Sequence, residues 1–496
     1  MNISKVLNEN VEAIKDILKG CDDVVYRSIE VGHDKKTQVA IIFVDGLTDK
    51  MVISEYIIES LLDAGNFEGI SIGSVKSDAS EKASSEFIAV DDVKKEEDLN
   101  KVIDAILVGE TALFIDGSDK ALILSTRGWP KRGIQEPQTE TVVKGPRDGF
   151  TETLRFNTAL VRRRIRDPKL KVKAMKVGRR SKTDVAVMYI EDIANDEIVK
   201  EVINRIERID IDAIGETAFL EFLIEDNYLS PFPQIESTER PDAVAAAILE
   251  GRIAILVDNT PFGLMIPATI GTFFQSSEDY YTRWPMASVF RFIRIIAGLL
   301  TLLSPAMYIA ITSFHPGLIP SVLTFYVAAS RINVPFPAVI EAFLMELTIE
   351  LLRESGTRIA GPIGSTIGIV GGIIIGQAAV EAGIVSPLKI IITAVTTISF
   401  FAIANYEWAT SLRILRFVFM IMAALFGLYG IMLGIVLLMV HLAKLESFGI
   451  PFASPLSGLG LKEGDLKDTI VKVPVQKLEF RPKFTFPKDK IRLKKR

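Results

Sequence analysis

The chain has 496 residues, a formal charge of −5, one cysteine and three histidines. That length exceeds one hydrophobic core, so two or three domains are expected, and the net charge only averages a polar front with an apolar back. The lone Cys21 excludes a disulfide framework and suits a reducing compartment; His33, His315 and His441 form no paired-histidine motif, so neither a metal nor a cofactor is expected.

The N-terminal stretch MNISKVLNENVEAIKDILKG is charged and has no apolar core, so it does not read as a signal peptide. The front half then repeats itself. Thr37-Gln-Val-Ala-Ile-Ile-Phe-Val-Asp45 matches Thr183-Asp-Val-Ala-Val-Met-Tyr-Ile-Glu191, and Ile106-Leu-Val-Gly-Glu-Thr-Ala-Leu-Phe-Ile-Asp116 matches Ile248-Leu-Glu-Gly-Arg-Ile-Ala-Ile-Leu-Val-Asp258. The offsets, 146 and 142 residues, are nearly equal. Each block predicts a buried strand ending in an acidic turn, the second preceded by a helix and a glycine. Two related subdomains follow, roughly 20–135 and 175–280, each with a small mixed sheet. Asp45, Asp116, Glu191 and Asp258 are better read as caps of turns and helix starts than as paired catalytic carboxylates, because no nucleophile, base or metal ligand accompanies them. Gly361-Pro-Ile-Gly-Ser-Thr lacks the Gly-Lys-Ser/Thr of a phosphate-binding loop. No catalytic residue is expected, and no enzyme.

Between the subdomains Arg155, Arg162, Arg163, Arg164, Arg166, Lys169, Lys171, Lys173, Lys176, Arg179, Arg180 and Lys182 face a single acid, Asp167. Such a run can bind nucleic acid or anionic headgroups. Only Phe156 interleaves it, which argues against nucleic acid. The alternatives are a solvated linker helix, or packing between subunits or subdomains against acids such as Glu197, Glu201 and Glu207; packing is the favoured reading.

Tyr280-Tyr-Thr-Arg-Trp284 places aromatics and positive charge where a chain meets headgroups. A first span is predicted over 295–314, after Arg291 and Arg294. A short proline-bracketed apolar segment, 318–330, reads as re-entrant. An oily amphipathic helix over 337–355 carries Glu341, Glu346, Glu350 and Glu354, the last three on one ridge. The next span, 359–380, has no ionisable side chain, and Gly364, Gly368, Gly372 and Gly376 recur at every fourth position, a stripe for close helix packing. Further spans are predicted over 390–406 and 417–440. Positive charge near 291–294 and in the tail puts both ends inside, which four crossings satisfy; Arg413 and Arg416 then either fall outside, against the rule, or belong to an interfacial turn of the last helix. A central Asp costs roughly 2.5–3.5 kcal/mol on insertion scales, so the acids either rest at the interface, paired with Arg353 and Arg358, or line a wet cavity. In the second case Glu341, Glu346, Glu350, Gln377 and Glu381 form a stripe attracting monovalent cations. One copy has too few spans to enclose a pore, so a homo-oligomer around an axis is expected.

The run Gly145-Pro-Arg-Asp-Gly-Phe-Thr-Glu, then Asn157-Thr-Ala-Leu-Val-Arg-Arg-Arg-Ile-Arg and Gly178-Arg-Arg-Ser-Lys-Thr-Asp-Val-Ala, resembles the GerA family of spore germinant-receptor A subunits. So do Thr238-Glu-Arg-Pro-Asp, the 249–258 block with Thr260-Pro-Phe, and Gly376-Gln-Ala-Ala-Val-Glu-Ala-Gly-Ile-Val-Ser-Pro387. The similarity runs from about residue 35 to Pro455. It implies a nutrient-sensing subunit of the spore inner membrane, partnered by a transporter-like B subunit and a lipoprotein C subunit, that oligomerises and releases ions when triggered. Alternatives are a spore-specific paralogue acting as an accessory channel without its own germinant, a secondary transporter or a membrane-bound enzyme. Missing repeated hydrophobic halves disfavour the transporter. The expected fold is thus a duplicated α/β or α+β cytosolic region (1–140, then 141–285 with the basic linker), a polytopic α-helical membrane domain (286–455) and a basic cytosolic tail (456–496).

Overall fold

The computed structural model describes residues 2–31, 37–64, 93–128, 136–137, 139–358, 372, 376–459 and 466–493. The chain divides into two compact units: a head of Met1–Tyr228, Ile235–Ala268 and Gln476–Arg496, and a helical unit of Leu229–Gln234 and Thr269–Val475. The tail, expected as one segment from 456, is therefore shared between them.

The head holds two five-stranded sheets of one topology. Strands β1 (Val24–Val31), β2 (Thr37–Val44), β3 (Val93–Glu96), β4 (Thr111–Ile115) and β5 (Ala121–Leu124) lie in the order 1-2-4-5-3. Strands β6 (Leu170–Val177), β7 (Thr183–Ile190), β8 (Glu236–Thr238), β9 (Ile253–Val257) and β10 (Gly263–Ile266) repeat it as 6-7-9-10-8. The sheets are antiparallel throughout, not mixed as expected. The reason is topological. β3 and β4 run in the same direction across a helical connection, but hairpin partner β5 inserts between them and pairs antiparallel with both. β10 does the same between β8 and β9.

The period-two alternation of the strands sorts the first core. Ala40, Ile42 and Val44 face one cluster with helices α1 (Leu7–Ile17) and α2 (Leu99–Val108), while Val39, Ile41 and Phe43 face Ile53, Ile57 and Ile58 on the other side. In the second repeat, α3 (Leu154–Arg164) and α5 (Pro241–Leu249) take the places of α1 and α2; α4 (Asp196–Glu207) lies between β7 and β8.

The duplication reaches individual hydrogen bonds. Leu7 at the start of α1 donates its N–H to Asp116 at 3.2 Å, and Leu154 at the start of α3 donates to Asp258 at 2.9 Å. Asn10 accepts from the Ser4 N–H at 2.8 Å and donates to the Ser4 carbonyl at 2.6 Å; Asn157 does both to Thr151 at the same distances. Gly109 and Gly251 end α2 and α5 in the left-handed conformation, φ 98° and 93°, where a side chain is strained. Each repeat thus starts with a helix lying further toward the N-terminus than the matched strands alone define.

The basic run lies within this head and is largely neutralised by it. Arg162 is buried at the seam of the repeats, its guanidinium on Asp23 at 2.5 and 2.8 Å. Arg164 pairs with Asp148, Lys169 with Asp192, Lys173 with Glu207, and Arg179 with Asp212. Of the three acids expected opposite the run, Glu207 takes that part, whereas Glu201 holds Arg205 of its own helix.

The helical unit contains α6 (Trp284–Ser313), α7 (Ser321–Ser330), α8 (Ala338–Arg358), α9 (Pro387–Ala402) and α10 (Tyr406–Lys444). Two of them, α6 and α10, are long and apolar enough to cross a membrane. Of the glycine-striped span, 359–371 and 373–375 lie outside the described residues, with Gly364 and Gly368 among them.

At 39 residues, α10 would extend about 58 Å if straight, nearly twice the ~30 Å hydrocarbon core. It is not straight. Gly427 leaves helical geometry (φ 60°, ψ −138°), and the chain folds back there. Trp408 and His441 would stand about 50 Å apart along one helix, yet both rings lie against Phe232, at 4.9 and 6.0 Å. Glycines allow the close return: a Cβ at Gly434 would meet Phe419 at 2.9 Å, and one at Gly430 would overlap the Met422 carbonyl. The 417–440 stretch, read from sequence as one span, thus contains a turn between two antiparallel arms.

Candidate functional site

Helices α8 and α9 are inside out, and α6 and α10 bury charges among apolar residues. On α8, Glu341 and Glu346 are buried while Ile340, Leu347 and Leu351 are exposed. On α9, Lys389, Thr393 and Thr396 form the buried face and Ile391, Val395 and Ile398 the exposed one. α6 buries Arg291, Arg294 and Thr301 and exposes Phe292, Ile293 and Leu299; α10 buries Ser411 and Arg416 and exposes Ile414, Val418 and Ile421. Water rewards the opposite arrangement, so this pattern fits an apolar surrounding.

Three carboxylates of α8 meet at its inner side. Glu341 accepts from the Tyr308 hydroxyl at 2.9 Å and from Ser386, through its hydroxyl at 2.6 Å and its backbone N–H at 2.5 Å; the Arg331 guanidinium stands 3.7 Å away. Glu346 lies five positions on, about 140° around the helix, and so has different partners: the Lys389 ammonium at 3.1 Å and Arg416 at 3.0 Å. Glu350, one turn further, takes the other arm of the same guanidinium at 2.9 Å, with Arg413 at 3.6 Å. Arg416 is therefore a fork across two acids on one ridge, while Glu354, the third of that ridge, is exposed. Arg353 instead stacks on Phe400, 3.9 Å from the ring centroid.

Gln377 and Glu381 form a separate exposed pair at 2.9 Å. Of the glycine stripe, Gly376 faces Ile390, and a Cβ at Gly372 would meet nothing within 4 Å among the described residues.

A family profile described as "Bacillus/Clostridium GerA spore germination protein" matches residues 12–484. The chain belongs to the GerA spore germination family. Among individual proteins, it is 42% identical to Spore germination protein KA of Bacillus subtilis (strain 168), over 99% of this chain and 88% of that protein. It is 41% identical to the membrane protein YfkQ of the same organism, over 97% and 91%. The crystal structure of the N-terminal domain of the A subunit of the Bacillus megaterium spore germinant receptor GerK3 is 34% identical, with TM-score 0.42, covering 54% of this chain and 98% of that one.

In this GerA-family chain the basic partners of the acids are what sequence reasoning missed. A span started at 390 leaves Lys389 outside, and a charge-rule topology puts Arg413 and Arg416 on the far side of the membrane from the tail. The signal available was arithmetic: cations isolated in apolar helices need anions at the same depth, and α8 supplies them. Among the described residues no group of three or more His, Cys, Asp or Glu side chains is placed to hold a metal ion.

Proposed function

We propose that this GerA-family chain is the A subunit of a nutrient germinant receptor, a multi-pass protein of the spore inner membrane with both termini on the core side. Several copies surround an axis and, with the B and C subunits, release monovalent cations when nutrient binds. The observation that carries this reading is the cluster of Glu341, Glu346, Lys389 and Arg416, withdrawn from solvent with the half-buried Glu350 beside them, inside a unit whose outer surface is apolar. Removing a charge from water costs several kcal/mol, and apolar replacements of buried ion pairs are often neutral or stabilising. Stability alone therefore gives little reason to keep such a cluster; in a membrane it marks a path for charge. In the resting assembly each acid is occupied by a base of the same chain. Nutrient binding elsewhere favours a packing in which these pairs part, a population shift between two arrangements of the helices.

The test is potassium efflux from liposomes holding the full-length chain with its B and C subunits. The Glu346→Gln, Glu350→Gln double variant should lower triggered efflux and its preference for cations over anions. Efflux and selectivity equal to the unaltered protein would end the acid-path reading.

A further inference from the structure

We infer that Lys389 is a tethered cation: its ammonium occupies the position on Glu346 that a free monovalent cation takes when the helices part. The inference rests on the acids being a cation path, and it adds the residue that holds that path shut.

The two bases on Glu346 are of different kinds. Arg416 is a rigid two-armed clamp, joining Glu346 at 3.0 Å and Glu350 at 2.9 Å within one protomer. No single ion reproduces that fork. Lys389 makes a single-point contact at 3.1 Å, with both side chains fully buried. An ammonium is a compact point charge on a flexible stem, the nearest a side chain comes to an alkali ion on a carboxylate. An alkali ion entering in place of the Lys389 ammonium would leave the charge on Glu346 unchanged.

The contacts that would have to yield are gathered on one element. Ser386 caps α9 and donates to Glu341, and Lys389, in the first turn of α9, reaches Glu346. Displacing that turn withdraws partners from both carboxylates together, leaving Tyr308 on Glu341 and Arg416 on Glu346. One turn beyond Lys389 on the same buried face, the Thr393 hydroxyl has no hydrogen-bond partner. An unmet buried oxygen one turn from the ammonium is the kind of ligand a partly dehydrated alkali ion uses.

The experiment uses purified full-length chain in detergent, melted in potassium chloride and in choline chloride at equal ionic strength. Unaltered protein and Lys389→Arg should show no potassium-specific shift. Lys389→Met should melt roughly 2–4 °C or more higher in potassium, the signature of a ligand bound by the folded state. Adding Glu346→Gln to Lys389→Met should abolish the shift. No shift in Lys389→Met, or a shift that survives Glu346→Gln, overturns the proposal. Lys389→Gln serves as a second variant, and failure of both to fold in potassium also overturns it. Liposomes separate the two readings. Unstimulated potassium efflux should rise several-fold in Lys389→Met. Potassium binding without efflux in any variant retires the path and leaves the cation site; triggered efflux without potassium binding retires only the tethered cation.

Discussion

The head and the helical unit both bury an ion pair, and the two pairs sit in opposite surroundings. In the head, Arg162 and Asp23 are 0% and 3% exposed among sheets whose inner faces are valine, isoleucine and leucine. In the helical unit, Glu346 and Lys389 lie among other charges and hydroxyls, on helices whose exposed faces carry Leu347, Leu351, Ile391 and Ile398. A buried pair in an apolar core is an exception to its own surroundings; a buried cluster among other buried charges and hydroxyls is the rule there. The first therefore serves position, holding two repeats in register, and the second is the one for which a function is proposed.

Removing one partner of the head's pair should have the largest effect on folding. Arg162→Ala leaves Asp23 buried without its guanidinium, and the head should lose about 3–5 kcal/mol, read by denaturant unfolding of the full-length protein. Replacing the pair as a whole, Arg162→Met with Asp23→Leu, should recover most of that loss and leave cation efflux unchanged. If the double variant is as unstable as the single one, the contrast fails, because the seam would then need charge and not only filled space.

Next in size is a pH dependence confined to the head. Burial pushes the Glu140 carboxyl up to about 7, opposed by the Thr238 hydroxyl, which donates to it at 2.6 Å, and reinforced by Glu236. This carboxyl is harder to ionise folded than unfolded, so the proton is held more tightly by the folded chain. As pH rises past the ordinary carboxyl value near 4.5, the unfolded chain ionises first and stability falls; the fall ends once pH passes about 7. The loss across that window is at most about 3 kcal/mol. Urea melts at a series of pH values should show it, and Glu140→Gln should reduce the slope, leaving the share of Glu225, whose carboxyl burial also pushes up to about 7. An unchanged slope would place the titration elsewhere.

What was legible in the sequence follows the same division. Four strands of the head, β2, β4, β7 and β9, were readable because each is a short buried run with an acidic turn at its end, and the two copies check each other. Their pairing was not, since a hairpin strand that inserts between two others leaves no local mark. In the helical unit, Glu341, Glu346 and Glu350 were conspicuous as charges on an oily helix. Their partners were not, because Lys389 and Arg416 lie 43 and 70 positions away from Glu346 and only packing joins them. The turn at Gly427 was hidden by hydropathy, which sums apolar residues and is blind to direction. Length gave no warning, since 417–440 is an ordinary single-crossing length; the mark available was Gly427, Gly430 and Gly434 falling close together.

The smallest prediction tests the duplication from within. Asp116 and Asp258 sit at the ends of β4 and β9, and each accepts from the first N–H of the helix opening its repeat. Neither is an N-cap by sequence position, so the cap is supplied across the fold, from over 100 residues downstream in both cases. Cutting either carboxylate to alanine should cost about 1 kcal/mol, the usual worth of a side-chain cap. The loss should be slightly greater at Asp258, whose bond is 2.9 Å against 3.2 Å. Asparagine at either position keeps an acceptor oxygen and should recover most of it. Equal behaviour under thermal melting would mean that the ancestral repeat already carried this contact and that both copies still depend on it. A loss at one site alone would mean that the shared geometry survives in one copy as shape without energetic weight.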